Sequence, residues 1–182
     1  MNNTKNAIIM VGLPGSGKST VVRLINCCNQ YAVMSLDDII EDYARKENKT
    51  YSEVFDKYKE SASLQLEHDI DCAIVDGKDI IFDQTNLSVY SRYRRIRELS
   101  YYNNYNITAI VVTEQESVIS ERLRIRGELT GKIIPESVVS SMKSRFEFPS
   151  LSEGFKKIIH LDSGVFKYTG IKMNDFLKAF TK

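Results

Sequence analysis

The feature that most constrains this chain is an eight-residue loop, Gly12 to Ser19, that matches G-x-x-x-x-G-K-S. It follows Ala7 to Val11, a short apolar run without polar alternation, as a parallel strand covered on both faces requires. After the loop, Val21, Val22, Leu24, Ile25 and Cys28 predict a helix to Asn29. A strand, a glycine loop and a helix in that order form a phosphate cradle. The glycines let backbone N–H groups face phosphate oxygens, and the helix N-terminus adds partial positive charge. The expected nucleotide-binding set is therefore Gly12, Pro14, Gly15, Ser16, Gly17, Lys18, Ser19 and Thr20. Lys18 is expected on the β- and γ-phosphates of ATP, and the Ser19 hydroxyl on Mg2+.

Strand and helix patterns alternate along the rest of the chain. Tyr31 to Ser35 reads as a second strand, ending at Leu36, Asp37 and Asp38. Val54, Tyr58, Ala62, Leu66, Ile70 and Ala73 step by three or four residues, so a long helix with one apolar face is predicted. Asp79 to Asp83 reads as a third strand, Ile107 to Val112 as a fourth and Lys156 to Leu161 as a fifth. Helices are expected after Ser88, over 116–126, over 136–146 and over 174–180, with a polar break at 127–135. Such alternation predicts a parallel sheet with helices on both faces and right-handed crossovers. Ligands of such sheets sit beyond the carboxyl ends of the strands, so the motifs should meet there.

Charge and cysteine content narrow the setting. The 182 residues suit one domain. A net charge of +1 gives no global field to draw in nucleic acid or a membrane, so such binding needs a local patch. The apolar run near the N-terminus is too short for a signal peptide, and none approaches the ~18 residues of a membrane span. Cys27, Cys28 and Cys72 match neither a disulfide framework nor a zinc pattern. A cytoplasmic protein with reduced thiols and no membrane partner is expected.

Four further groups carry candidate chemistry. Asp37 closes the second strand, where a carboxylate can accept the proton of an attacking hydroxyl; Asp38 reads as the cap of the next helix. Asp83 closes the third strand, where a second acidic residue would stand near magnesium, and Thr85 and Asn86 offer short polar groups to an acceptor. Arg122 and Arg126 share a helix face ahead of the break, as arginines of a lid over ATP would. Arg92, Arg94, Arg95 and Arg97 form the densest basic stretch; it reads either as a solvated helix face or as a grip on nucleic-acid phosphates.

Together these residues resemble the phage-type polynucleotide 5′-kinase domain and its wider group of small P-loop kinases, over nearly the whole chain. The resemblance is carried by G-x-P-G-S-G-K-S-T at 12–20, the pair Asp37 and Asp38, D-x-T-N-L at 83–87 and R-x-x-x-R-G at 122–127. It continues in R-F-E-x-P-x-L-x-E-G-F at 145–155. It implies a three-layer α/β/α P-loop kinase fold, a five-stranded parallel sheet and one domain over 1–182, with a helical lid over about 122–140. It further implies Asp37 as general base, Lys18 with Arg126 or Arg122 on the phosphates, and Asp83, Thr85 and Asn86 lining the acceptor pocket. The implied activity is γ-phosphate transfer from ATP to a hydroxyl of DNA or RNA. That hydroxyl would be a polynucleotide 5′-OH or, as in phage DNA modification, a hydroxymethyl group on a modified base. Ile40 stands where such polynucleotide kinases carry an arginine, and Leu36 where a polar residue is common. A small-molecule kinase for a nucleoside, sugar or antibiotic is the alternative, and a nucleotide-binding switch or toxin-like module a more distant one.

Overall fold

The structure is a computed structural model, and it describes residues 4–102 and 105–162. Five strands form one wholly parallel sheet: β1 (Lys5–Val11), β2 (Tyr31–Met34), β3 (Asp79–Phe82), β4 (Tyr105–Thr113) and β5 (Lys157–Asp162). Their order across the sheet is β2-β3-β1-β4-β5. The helices are α1 (Lys18–Ile25), α2 (Leu36–Glu47), α3 (Tyr51–Val75), α4 (Val89–Tyr101), α5 (Glu116–Thr130) and α6 (Glu136–Ser144).

The unbroken apolar runs of the strands follow from burial on both sides. Ala7, Ile9 and Val11 of β1 face one layer, where Leu66, Ile70 and Ile74 of α3 and Ile96 and Leu99 of α4 cover them. Ile8 and Met10 face the other layer, against Val22 and Ile25 of α1 and Ile81 and Ile110 from the neighbouring strands. Alternate side chains from Ala7 to Val11 thus feed two cores, so none of these five positions can be polar. A third cluster, Ile40, Ala44, Val54 and Ala62, packs α2 on α3 beside the sheet.

The expected helices differ from the observed ones where capping decides. α2 starts one residue after Ser35, whose hydroxyl accepts from the Asp38 backbone N–H at 3.2 Å. Ser35 rather than Asp38 is therefore the cap, because Leu36 is already helical. Asn48, at φ 56°, closes α2, and Glu53 accepts from the Thr50 N–H at 2.7 Å to open α3. The first helix stops at Ile25, short of Asn29. Gly127 does not break α5, which runs to Thr130 and ends on Gly131 in the left-handed conformation at φ 67°. The helix expected over 174–180 falls outside the described residues.

Register brings the strand ends together. Ile9 pairs with Phe82, and Phe82 with Met34, so β1, β3 and β2 stop at one edge. Beyond it, the Gly12 N–H donates to the Thr85 carbonyl and the Asp83 N–H to the Met34 carbonyl, each at 3.0 Å. These bonds tie the three loops that carry the candidate motifs.

Candidate active site

The loop from Gly12 turns under the end of β4. A side chain at position 12 would put its Cβ 2.4 Å from the Val112 carbonyl oxygen, so only glycine fits. Gly17 leads into α1, and Lys18 is its first residue. The Lys18 ammonium donates to the Gly12 and Leu13 carbonyls, at 2.9 and 2.8 Å, across the mouth of the loop. Burial lowers its pKa to about 8, against the pull of Asp83 and Asp37. A lysine held so uncomfortably gains when a polyphosphate restores its counter-charge.

Ser19, the next residue, is exposed, and its hydroxyl lies beside the Asp83 carboxyl. Burial pushes the Asp83 carboxyl above its ordinary range, while Ser19 and Lys18 oppose that rise. A hydroxyl beside a carboxylate, at a phosphate loop, is the hard-oxygen pair Mg2+ takes when phosphates and waters complete its shell. Among the described residues, no three His, Cys, Asp or Glu side chains group as a protein-only metal site.

Asp37 projects from the first turn of α2 into the same region. The Tyr51 hydroxyl donates to its Oδ1 at 2.8 Å, and the Lys132 ammonium is 2.5 Å from its Oδ2. Partial burial pushes its carboxyl up, but Lys132, Tyr51 and Arg126 outweigh that and hold it below its ordinary range. Its side chain is still 48% exposed, which leaves it open to an incoming hydroxyl.

The two arginines expected of a lid, Arg122 and Arg126, flank this centre from α5. Arg122 donates to the Gly15 carbonyl at 3.0 Å and pairs with Glu114 at 2.9 Å. Arg126 pairs with Glu41 at 3.0 Å. The sequence-expected Lys18, Ser19, Asp37, Asp83, Arg122 and Arg126 thus converge. Asn86 does not join them: its side chain is buried and donates to the Met10 carbonyl at 2.8 Å, holding the end of β1. Thr85 contributes its backbone carbonyl to Gly12.

Three members of the cluster were not anticipated from sequence: Lys132, Tyr51 and Glu41. Lys132 lies within the polar break expected at 127–135, where nothing local marks it out. The basic stretch on α4 is divided: Arg92 and Arg95 are buried, and Arg94 and Arg97 are exposed. Arg92 is fully buried and holds Glu153 with two bonds of 2.7 and 2.9 Å, while Arg95 holds Glu67 and Glu98. Arg94 pairs with the same two carboxylates. The three cysteines are free and exposed. No helix among the described residues is long and apolar enough to cross a membrane.

The sheet order, the glycine loop and the side chains that converge on it define a nucleotide-binding P-loop domain with the fold of the P-loop kinases. A chain designated a kinase from Chloroflexus aurantiacus superposes with a TM-score of 0.73 at 19% identity, over 97% of this chain and 93% of that one. The chain belongs to the AAA domain family, which it matches over residues 8–149. Its relatives include heterogeneous nuclear ribonucleoprotein U-like protein 2 of Homo sapiens, 30% identical over 78% of this chain and 19% of that protein. Another, from Acanthamoeba polyphaga mimivirus, is designated a bifunctional polynucleotide phosphatase/kinase, and is 26% identical over 85% of this chain and 32% of its own length. The chain thus spans about a fifth and about a third of these two relatives.

Proposed function

We propose that this chain is an ATP-dependent kinase that transfers the γ-phosphate to a hydroxyl of a nucleic acid, either a polynucleotide 5′-OH or a hydroxymethyl group on a DNA base. The observation that carries the reading is the half-open Asp37 carboxylate at the same sheet edge as Lys18 and Ser19, with Arg122 and Arg126 overhead. A nucleotide-binding switch needs a phosphate cradle but no carboxylate aimed at a second substrate.

In this reading the acceptor hydroxyl gives its proton to Asp37 as its oxygen forms a bond to the γ-phosphorus. The bond from that phosphorus to the β-bridging oxygen breaks, and ADP leaves with the electron pair. Lys18 turns from the Gly12 and Leu13 carbonyls to the phosphates, and Arg126 exchanges Glu41 for the transferring group. Ser19 and Asp83 would hold Mg2+, which when bound neutralises charge on the β- and γ-phosphates. The convergent cations then lower the barrier by facing charge where it spreads in the transition state.

The nucleic-acid acceptor is supported by the mimivirus relative and by the motif set, which together cover most of the chain. A small-molecule acceptor is the second reading, and two observations favour it. Arg92, Arg94 and Arg95 are engaged by carboxylates of the fold, and Ile40 is fully buried where a phosphate-gripping arginine would project. The test is γ-labelled ATP with 5′-OH oligonucleotides, hydroxymethylated duplex DNA, and a panel of nucleosides and sugars side by side. Label on oligonucleotide or duplex is expected; label on the small molecules alone would contradict the nucleic-acid reading.

A further inference from the structure

Three consecutive residues fasten the trailing end of α5 to the unit formed by α2 and α3. Gly131 packs so closely on the cap of α3 that a Cβ there would fall 2.4 Å from Thr50 Cβ. The Ile133 N–H donates to Ser52 Oγ at 3.1 Å. Between them the Lys132 side chain runs inward and is 3% exposed. Its ammonium is 2.5 Å from Asp37 Oδ2, 3.4 Å from Glu41 Oε1 and 4.0 Å from the centre of the Tyr51 ring.

A buried ammonium is costly unless its partners are good. Here carboxylates, an aromatic face and a fixed backbone on either side define its position. The consequence falls on Asp37. Tyr51 takes one carboxylate oxygen and Lys132 the other, so the group cannot rotate, and it keeps spare lone pairs for a hydroxyl arriving from the open side.

We propose that Lys132 is a positioning residue for Asp37: from the end of the lid it seats the carboxylate that takes the acceptor proton, and so couples lid docking to readiness of the base. This inference rests on the reading of Asp37 as the general base. Around Asp37 stand Asp38 and Glu41 of α2, Tyr51 of α3, Lys18 of α1, Asp83 after β3, Arg126 of α5 and Lys132 itself. Of the cations, only Lys132 makes an ion pair with Asp37. Removing its charge therefore takes away the largest influence that holds the Asp37 pKa down against burial, with Tyr51 and Arg126 remaining, so the pKa rises. A base must be ionised, so kcat/KM falls as the pH drops through that pKa. The acid limb should then move to higher pH in a variant without the charge.

The test compares pH profiles of kcat/KM for the wild type, Lys132→Met and Lys132→Arg on an accepted hydroxyl. Lys132→Met should shift the acid limb upward by about 1–3 pH units, the range one close opposite charge produces, and Lys132→Arg should return it toward wild type. A lysine that only fastened the lid would lower stability and leave the limb where it is; that result overturns the proposal. Lys132→Gln, with the Asp37 carboxyl titrated directly by carbon-13 NMR, reads the same shift without turnover and tolerates a fold too weak for kinetics. An unchanged midpoint there also overturns it. Asp37→Asn separates the two levels. Full transfer by that variant removes the base reading and this inference with it, whereas loss of transfer beside an unmoved limb removes only the role of Lys132.

Discussion

Lys18 shows how one residue can be arranged for a ligand at the cost of stability without it. With its pKa at about 8 against an ordinary 10.5, the folded protein binds that proton more weakly than the unfolded chain does. Between those two values the unfolded state holds the proton and the folded state has lost it, so unfolding free energy rises with pH across the window. Below about 8 the full penalty of the buried charge remains. Urea titrations of the nucleotide-free protein from pH 7 to 11 should therefore show a rise that Lys18→Met lacks. Parallel curves for the two proteins would contradict that assignment. The motif made Lys18 legible in sequence, because spacing alone places it at the first turn of a helix behind a glycine loop. Asp37 and Asp83 were legible because each ends an apolar run. Lys132 was not: a lone lysine acquires meaning only when α5 carries it 95 residues along the chain to Asp37, and no local pattern encodes that approach.

At the scale of elements, the segment 145–155 has a structural job that its pattern did not reveal. Arg92 of α4 donates to the Asn86, Leu87 and Glu147 carbonyls at 3.0, 3.2 and 2.9 Å, besides its double bond pair with Glu153. Glu147 in turn accepts from the Val89 N–H at 2.7 Å, capping α4. The start of α4, the loop after β3 and the approach to β5 are thus one hydrogen-bonded unit around a single guanidinium. Sequence periodicity identifies α4 but cannot distinguish an arginine facing water from one facing a buried glutamate. Arg92→Met would leave Glu153, 7% exposed, without its cationic partner, the Ser150 N–H still donating to it. A loss of about 3–5 kcal/mol is expected for such a broken buried pair, read as a lower urea midpoint with an unchanged slope. A loss within experimental error would show that the pair contributes nothing net. The end of α5 departs from the expected break at 127–135 for a related reason: Gly127 sits inside α5, where a glycine is tolerated at modest cost, while Gly131 carries the left-handed turn that ends it.

For the whole molecule, the order β2-β3-β1-β4-β5 decides what can react with what. It sets the β2 and β3 ends beside the glycine loop, so residues 37 and 83 meet residues 18 and 19 although long helices separate them in sequence. The alternation of strands and helices announced a parallel sheet, and the ligand edge followed from the strand direction; the order of strands required the structure. Net charge is near neutral, so no long-range field is available to draw in a charged partner, and under the proposed reading acceptor binding rests on local contacts around Asp37. Under the proposed reading, the site at this sheet edge transfers phosphate to a hydroxyl with Asp37 as base. The most direct test is the turnover of Asp37→Asn with γ-labelled ATP and the best acceptor, alongside nucleotide affinity measured on the same protein. ATP affinity should stay close to wild type while the transfer rate falls by about a hundredfold or more. Transfer at the wild-type rate by Asp37→Asn would contradict the reading.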